Sequence, residues 1–362
     1  MPRLLTRPFI ALATASLVAL AGCAAGDQRA PAPAPSPEEG SAEAIEGTPE
    51  SDGFLLVYSG RNEALVQPLI DIFTEQTGIE VEVRYGNTGE MAALLLEEGD
   101  ATRAGVFLSQ DAGALGAITK AGLFVTLPDD IAGAVPQGFT STDGSWVGVT
   151  GRARVLVYDS EKVSEDELPK TSDEIVGPQW SGQVGFAPGN SSFQSAVTAY
   201  RVMEGEGAAE SWLTALKINN PRKLYENNGA ILEAVESGQL TMGLTNHYYW
   251  YRMVAERGIE DVTSRLFFPT PGDPSAIVNV TGVGILSPSQ LDQDAYDFVQ
   301  FMLSVEAQTY FVEQTHEYPL VPGIAAPEGL PSLESLLSPT LDLSDLDDLA
   351  TTQELLQRVG LL

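Results

Sequence analysis

Cysteine, histidine and positive charge are all scarce in this chain, and each shortage narrows what it can do. The 362 residues include one cysteine and two histidines, with 19 lysines and arginines against 50 aspartates and glutamates. Cys23, standing alone, cannot close a disulfide within the chain. A formal charge of -31 leaves no basic footprint for a nucleic acid partner. There is no Gly-x-Ser-x-Gly elbow and no His-Glu-x-x-His pair, which argues against a secreted hydrolase. Ser191, Asp111 and His247 supply the residue types of a triad, but a triad is recognised by geometry and not by composition.

What is present begins with an export signal. Arg3 and Arg7 give a positive start, Phe9 to Ala21 is apolar, and Leu20-Ala21-Gly22-Cys23 closes the run with small residues. Residues 1–22 therefore read as a signal peptide, too short and too early for a spanning helix of the mature protein. The last four residues resemble the bacterial lipoprotein signal, which implies lipidation of Cys23 and a place on the outer face of the cell membrane. Residues 23–52 then read as the lipidated cysteine and a disordered tether, rich in proline and charge with little to bury. About 310 residues remain, enough for two lobes.

From residue 54 strands and helices alternate. Phe54 to Tyr58, Ile79 to Tyr85 and Val106 to Leu108 have the pattern of strands. The helices between them are marked by Leu65, Leu69, Ile72 and Phe73, then by Met91, Leu94 and Leu95, and a third spans Ala112 to Ala121. Such an order predicts an α/β fold with a parallel sheet, whose ligands sit beyond the carboxyl ends of the strands. An extended stretch from Trp146 to Tyr158 follows, in two halves flanking Gly151, then a strand at Val184 to Phe186 and a helix from Phe193 to Gly205. A helix at Ala230 to Ser237 leads to a strand at Thr241 to Leu244, which runs straight into Asn246-His247-Tyr248-Tyr249-Trp250. Gly282 to Leu286 reads as a returning strand, Leu291 to Phe301 as a helix packed on it, and Leu330 to Leu362 as one or two surface helices.

Tyr248 and Tyr249 are the most informative pair. Phenolates are hard anionic oxygen ligands, suited to a small, highly charged ion. Neighbouring side chains on a regular helix diverge by about 100°, so two of them meet one ion only where the backbone is turning. Packing in the core is the competing explanation for an aromatic pair. An anion site is legible separately: Gly189-Asn190-Ser191-Ser192 precedes the helix at Phe193, and unpaired amides at a helix start favour an anion. Ser192 serves equally as a plain helix cap. Arg61, at the end of the first strand, is a candidate bidentate partner for that anion.

These motifs together resemble the ferric iron-binding proteins of bacterial ABC importers, in a lipid-anchored form. The resemblance runs through Tyr58-Ser59-Gly60-Arg61, Ile70 to Gly78, Leu94 to Gly99, Val106 to Gly122, Trp146 to Arg154, Pro188 to Gln194, Tyr225 to Asn228 and Leu244 to Trp250. It implies a two-lobed periplasmic-binding-protein type II fold with a hinge and an interlobe cleft. One lobe would comprise residues 54–150 with about 279–328, the other about 151–278 with 329–362. It implies no catalysis, Fe(3+) as the solute, an ABC permease and the membrane as partners, and a monomer. Tyr248 and Tyr249 fall on the family's two phenolate ligands. Asn190, Ser191, Ser192, Asn228 and Asn246 fall on its synergistic anion site, for carbonate, phosphate or citrate. In other relatives an arginine after the Trp-Val-Gly stretch serves that anion, which implies Arg152 or Arg154 here, and nothing in the sequence chooses between these two and Arg61.

The chain departs from the family in the first lobe. Many relatives have histidine where Asn62 stands and glutamate where Gln110 stands, and neutral amides are poor partners for a trivalent ion. Glu63 and Asp111, one residue further on, are the acidic alternatives. Some relatives place a third tyrosine near Phe193, which cannot ligate. These departures keep a second reading open: the same scaffold carrying a polyamine, thiamine, a phosphonate or an iron chelate.

Overall fold

A computed structural model describes residues 47–337 and 341–362. The signal peptide, Cys23 and most of the proposed tether lie outside the described residues.

The chain opens as strand β1 (Phe54–Ser59), helix α1 (Glu63–Thr77), β2 (Glu80–Tyr85), α2 (Thr88–Glu98), β3 (Val106–Ser109) and α3 (Ala112–Lys120). Local chemistry accounts for these boundaries. Asn62 accepts the Ala64 amide to cap α1, whose buried face is Leu65, Val66, Leu69, Ile70 and Phe73. Gly78, at φ 78°, ends that helix in the left-handed conformation that glycine adopts without strain. Asn87 and Glu90 close a capping box on α2. β1 pairs in parallel with both β2 and β3, and β2 forms the end of the sheet. Its alternating exposure, with Glu80, Glu82 and Arg84 interleaved among apolar residues, suits a strand with one free edge.

The next elements are α4 (Asp129–Ala132), β4 (Val147–Asp159), α5 (Ser172–Ile175), β5 (Val184–Gly185), α6 (Ser191–Glu204) and α7 (Glu206–Asn219). They are followed by α8 (Asn228–Glu236), β6 (Met242–Asn246), α9 (His247–Arg257), β7 (Ser264–Phe267) and β8 (Val278–Ile285). The chain ends with α10 (Gln293–Met302), α11 (Val305–Tyr310), a π-turn at Phe311–Thr315, β9 (Tyr318–Pro319), α12 (Leu333–Leu336) and α13 (Leu349–Val359). The strand order is β2-β1-β3-β8-β4-β6-β5, with β7 and β9 also paired to β4.

β4 organises the molecule. Every one of its 13 residues is buried, as expected for a strand covered on both faces. Its first half pairs with β8, and its second half leaves that partner to pair with β6 and β7. The stretch read from sequence as two halves around Gly151 is thus one unbroken strand. A β-carbon on Gly151 would press within 3.3 Å of Tyr318 and 3.4 Å of Leu320, so the glycine admits β9 alongside and does not break the strand. Buried apolar side chains gather in three clusters along this path. One surrounds β1, β3, β8, α1, α3 and α10, where Phe73 meets Phe298 edge-on at 5.4 Å. A second joins α6, α7 and β6 through Phe193, Trp212 and Leu244, and a third packs α8 on β4 through Ile231, Val235 and Val157.

One polar side chain holds β4 where its ladder fails. The pairing with β8 shifts between Gly148 and Thr150, leaving Val149 outside the register. The buried Gln308 donates to the Val149 carbonyl at 2.8 Å and to the Met302 carbonyl at 3.1 Å, while accepting the Leu320 amide at 2.9 Å. Gln308→Leu keeps the volume but strands these three groups, and should cost at least about 3 kcal/mol at 1–3 kcal/mol for each buried unpaired group. Urea unfolding measures this, and a loss below about 0.5 kcal/mol would show that the amide does not support the bulge.

Candidate functional site

Strand β6 delivers the tyrosine pair. It runs antiparallel to β4, with Asn246 opposite Arg154, and the backbone turns into α9 at His247. Tyr248 and Tyr249 are the second and third residues of that helix, where side chains ordinarily diverge. Here the two rings instead stack, with centroids 4.4 Å apart and planes 27° from parallel. Tyr248 is only 1% exposed, while Tyr249 is half-buried. The Tyr248 phenol is pushed well above its ordinary pKa, first by burial and then by its neighbour Tyr249, with Arg61 and Arg152 pulling the other way.

Three buried arginines face this pair. Arg61, at the end of β1, donates from Nη2 to Glu317 Oε1 at 2.6 Å, and the carboxylate's other oxygen accepts the Thr150 hydroxyl. Burial works against the Arg61 charge, but Glu317 and the phenols outweigh it and hold its pKa above the usual value. Arg152 donates from Nη2 to the Val280 carbonyl at 3.0 Å, and its pKa is lowered by burial and by the charge of Arg61. Arg154 donates to Ser192 Oγ at 3.1 Å and to the Leu244 carbonyl at 3.3 Å. Burial above all brings Arg154 down to about 9, Tyr249 opposing the fall and Arg152 adding to it, so it stays charged at neutrality. Nε and Nη1 of Arg61, the same two atoms of Arg152, and Nε of Arg154 have no partner among the described residues. Of these three guanidiniums only Arg61 contacts a carboxylate, Glu317, while Asp111 bears on Arg152 through charge alone, so N–H groups are left over in a buried place. Unpaired buried donors are costly, so the arrangement is suited to an anion.

The loop before α6 joins the same group. Asn190 Oδ1 accepts the Ser192 amide at 3.1 Å and the Ser192 hydroxyl at 2.5 Å. Ser192 Oγ in turn accepts Asn228 Nδ2 at 3.0 Å, and Asn228 Oδ1 is left unpaired. The cap of α6 is thus Asn190 and not Ser192, which sits in the first turn of the helix and joins the polar cluster around Arg154. From the opposite side Gln110 Nε2 reaches Ser191 Oγ at 3.2 Å. A cleft of about 690 Å³ opens beside this contact, lined among others by Asn62, Thr88, Gln110, Ser191 and Gln353.

The four expected N-terminal metal ligands separate in space. Gln110 lies in the cleft and is engaged with Ser191. Asn62 is on the cleft rim, exposed, with its oxygen used to cap α1. Asp111 is buried and caps α3 by accepting the Ala114 amide at 3.0 Å, yet its second oxygen is free and its charge bears on Arg152. Burial raises the Asp111 pKa. Glu63 is not brought to the tyrosines: it sits exposed in the first turn of α1, where its charge bears on Tyr85. The one-residue shift from Asn62 turns it to the outer face of the helix. Glu317 is the functional candidate that the sequence did not reveal. Its only signal was a charge in the apolar setting of Tyr318 and Leu320, too weak to pair it with Arg61 across 256 residues. No group of three or more His, Cys, Asp or Glu side chains that could hold a metal occurs among the described residues.

Both ring nitrogens of His247 are engaged with backbone groups, which leaves none for a triad. Its ring is fully buried, with Nδ1 accepting the Ala153 amide at 3.1 Å and Nε2 meeting the His316 carbonyl at 2.9 Å. Burial lowers its pKa to about 4, so it is neutral in ordinary conditions.

Residues 68–335 match the family described as bacterial extracellular solute-binding protein. The major ferric iron-binding protein of Neisseria meningitidis serogroup B is 33% identical over 312 residues, covering 85% of this chain and 93% of that protein. Iron-bound HitA from Pseudomonas aeruginosa superposes with a TM-score of 0.80 at 35% identity, covering 85% of this chain and 99% of its own. A Trichodesmium protein solved in complex with iron and citrate gives a TM-score of 0.71 at 28% identity, covering 85% of this chain and 99% of its own. The shared architecture is that of the type II periplasmic binding proteins.

Breaking the buried pair beneath the tyrosines has a definite expected cost. Glu317→Ala leaves Arg61 charged and unmatched, which should lower the stability of the solute-free protein by roughly 3–5 kcal/mol. Chemical denaturation reads the difference, and a loss under about 1 kcal/mol would mean that Arg61 finds water once its partner is gone.

Proposed function

The chain belongs to the bacterial extracellular solute-binding proteins, and we propose that it captures ferric iron, with a synergistic anion, for an ABC importer. One observation carries the reading: two stacked phenols at the end of β6, facing three buried guanidiniums that lack their full set of acceptors. A trivalent cation against the rings displaces their protons, even from Tyr248 with its raised pKa, because a bound cation inverts the usual acid–base preference. The phenolates and an anion then supply the negative charge that Arg61, Arg152 and Arg154 lack. Ser191, Ser192, Asn190, Asn228 and Asn246 surround the proposed anion, and carbonate, phosphate and citrate all have suitable oxygens. Asp111 and Gln110 are the nearer N-terminal contacts for metal or anion, while Asn62 and Glu63 are set aside. The relatives named for iron and the neighbour holding iron with citrate support this choice of solute.

The protein is a carrier and not an enzyme. Two lobes, residues 54–150 with 279–328 and residues 151–278 with 329–362, close on the solute about β4 and β8. Closure is favoured only as far as the solute binds the closed form better. The Gln110–Ser191 hydrogen bond joins residues of the two proposed lobes. Cys23 carries the lipid that holds a monomer at the outer face of the membrane beside its permease. No described helix is long and apolar enough to cross a membrane.

A second reading, the same scaffold holding a phosphonate or similar anion without iron, is favoured by the unpaired guanidinium N–H groups. Polyamines and thiamine are cations and are disfavoured by the same three arginines.

Ferric citrate added to the iron-free protein should produce a visible phenolate-to-iron absorption band. The double variant Tyr248→Phe/Tyr249→Phe should abolish the band and lower iron affinity at least 100-fold. An unchanged band would remove the tyrosines from the site, and tight phosphonate binding by iron-free wild type without any band would favour the second reading. Because each ligating phenol gives up a proton well below its own pKa, iron affinity should weaken by about tenfold per pH unit per phenol as pH falls. An affinity that stays flat from pH 7 to about pH 5 would contradict phenolate ligation.

A further inference from the structure

We propose that His247 is the positioning residue of this site, holding the tyrosine-bearing helix in register with the arginine-bearing strand and with the segment that carries Glu317. The inference rests on Tyr248 and Tyr249 being the iron ligands. It starts from a missing cap: Asn246 precedes α9 in an extended conformation but makes no side-chain bond to the first turn. Uncapped helix starts fray. A local loosening here would matter, since consecutive residues on a helix stand about 100° apart and the phenols converge only in the observed arrangement.

The imidazole supplies the missing restraint from outside the helix. The Ala153 amide can only donate, so the 3.1 Å contact requires Nδ1 to be an acceptor and puts the proton on Nε2. Nε2–H then donates to the His316 carbonyl at 2.9 Å. Each anchor is adjacent to site chemistry. Ala153 stands between Arg152 and Arg154 on β4. His316 immediately precedes Glu317, the partner of Arg61, and adopts a left-handed φ of 58° at the exit of the π-turn, unusual for a residue other than glycine. One buried ring therefore ties together three segments separated by 94 and 69 residues. Its faces and edges are packed as well, against Tyr318 at 5.1 Å and edge-on to Tyr248 at 6.0 Å. Hydrogen-bonded supports of this kind fix the orientation of metal ligands, and their loss typically costs about 10- to 100-fold in metal affinity.

Three substitutions separate positioning from bulk packing. His247→Phe keeps an aromatic ring and loses both bonds. His247→Asn offers an acceptor near Nδ1, and His247→Gln a donor near Nε2. Each is loaded with ferric citrate, and affinity, the wavelength of the phenolate-to-iron band and the melting temperature are recorded. We expect His247→Phe to bind iron about 10- to 100-fold more weakly with a displaced band, and the Asn and Gln variants to recover part of both. If the Phe variant does not fold, the Asn and Gln variants are compared with wild type on the same two readouts. A folded variant with wild-type affinity and band position overturns the proposal while leaving the tyrosine ligands intact. Affinity losses that merely track melting temperature, with the band unmoved, also overturn it. Absence of a band in wild type overturns the iron reading and this inference with it.

Discussion

The site is governed by buried positive charge that the protein alone does not neutralise. Arg61, Arg152 and Arg154 are each at most 2% exposed, and among nearby side chains only Glu317 and Asp111 offer carboxylates to offset them. A guanidinium keeps its proton at neutral pH, even Arg154 with its lowered pKa of about 9, so the imbalance is not relieved by deprotonation as it can be for a buried lysine. Neutral phenols do not relieve it either. Phenolates and a bound anion do, and a trivalent cation is what makes phenolates from phenols at ordinary pH. In this account the arginines, tyrosines, metal and anion form one electrostatic unit in which each component favours the others.

The fold serves that unit by bringing distant strand ends to one place. β4 carries Arg152 and Arg154 at the point where it passes from β8 to β6. β6 ends at Asn246 and hands the chain to the tyrosines, while β1 ends just before Arg61. The phenols therefore sit beyond a strand's carboxyl end, the usual location of ligands in α/β sheets. An acidic surface outside and a buried cationic cluster within are compatible, because salt screens the first and burial protects the second.

Much of this was legible in the sequence. The apolar run before Asn246 marks a strand, and the following tyrosines could only lie at its carboxyl end. Asn62 and Asn87 cap α1 and α2, roles that the sequence reading did not assign to them. Asn190, Ser191 and Ser192 read as both cap and anion loop, and they form a polar cluster with Arg154 and Asn228. What stayed hidden depends on contacts between remote segments. Gly151 suggested an interruption, since nothing local reveals that β9 packs over it. Helix α7 was missed because it restarts directly after Gly205, with Gly207 and Ala208 diluting its apolar period. The direction of Glu63, the partnership of Arg61 with Glu317 and the two anchors of His247 are tertiary facts with no periodic trace.

Resonance Raman spectroscopy of the iron-loaded protein, excited within its visible band, tests the central claim most directly. Ring and C–O vibrations of tyrosinate should be strongly enhanced, and should shift when the tyrosines alone carry deuterated rings. A spectrum of iron-loaded protein without any tyrosinate modes would contradict the claim, because the cation would then be held by something other than the two stacked phenols.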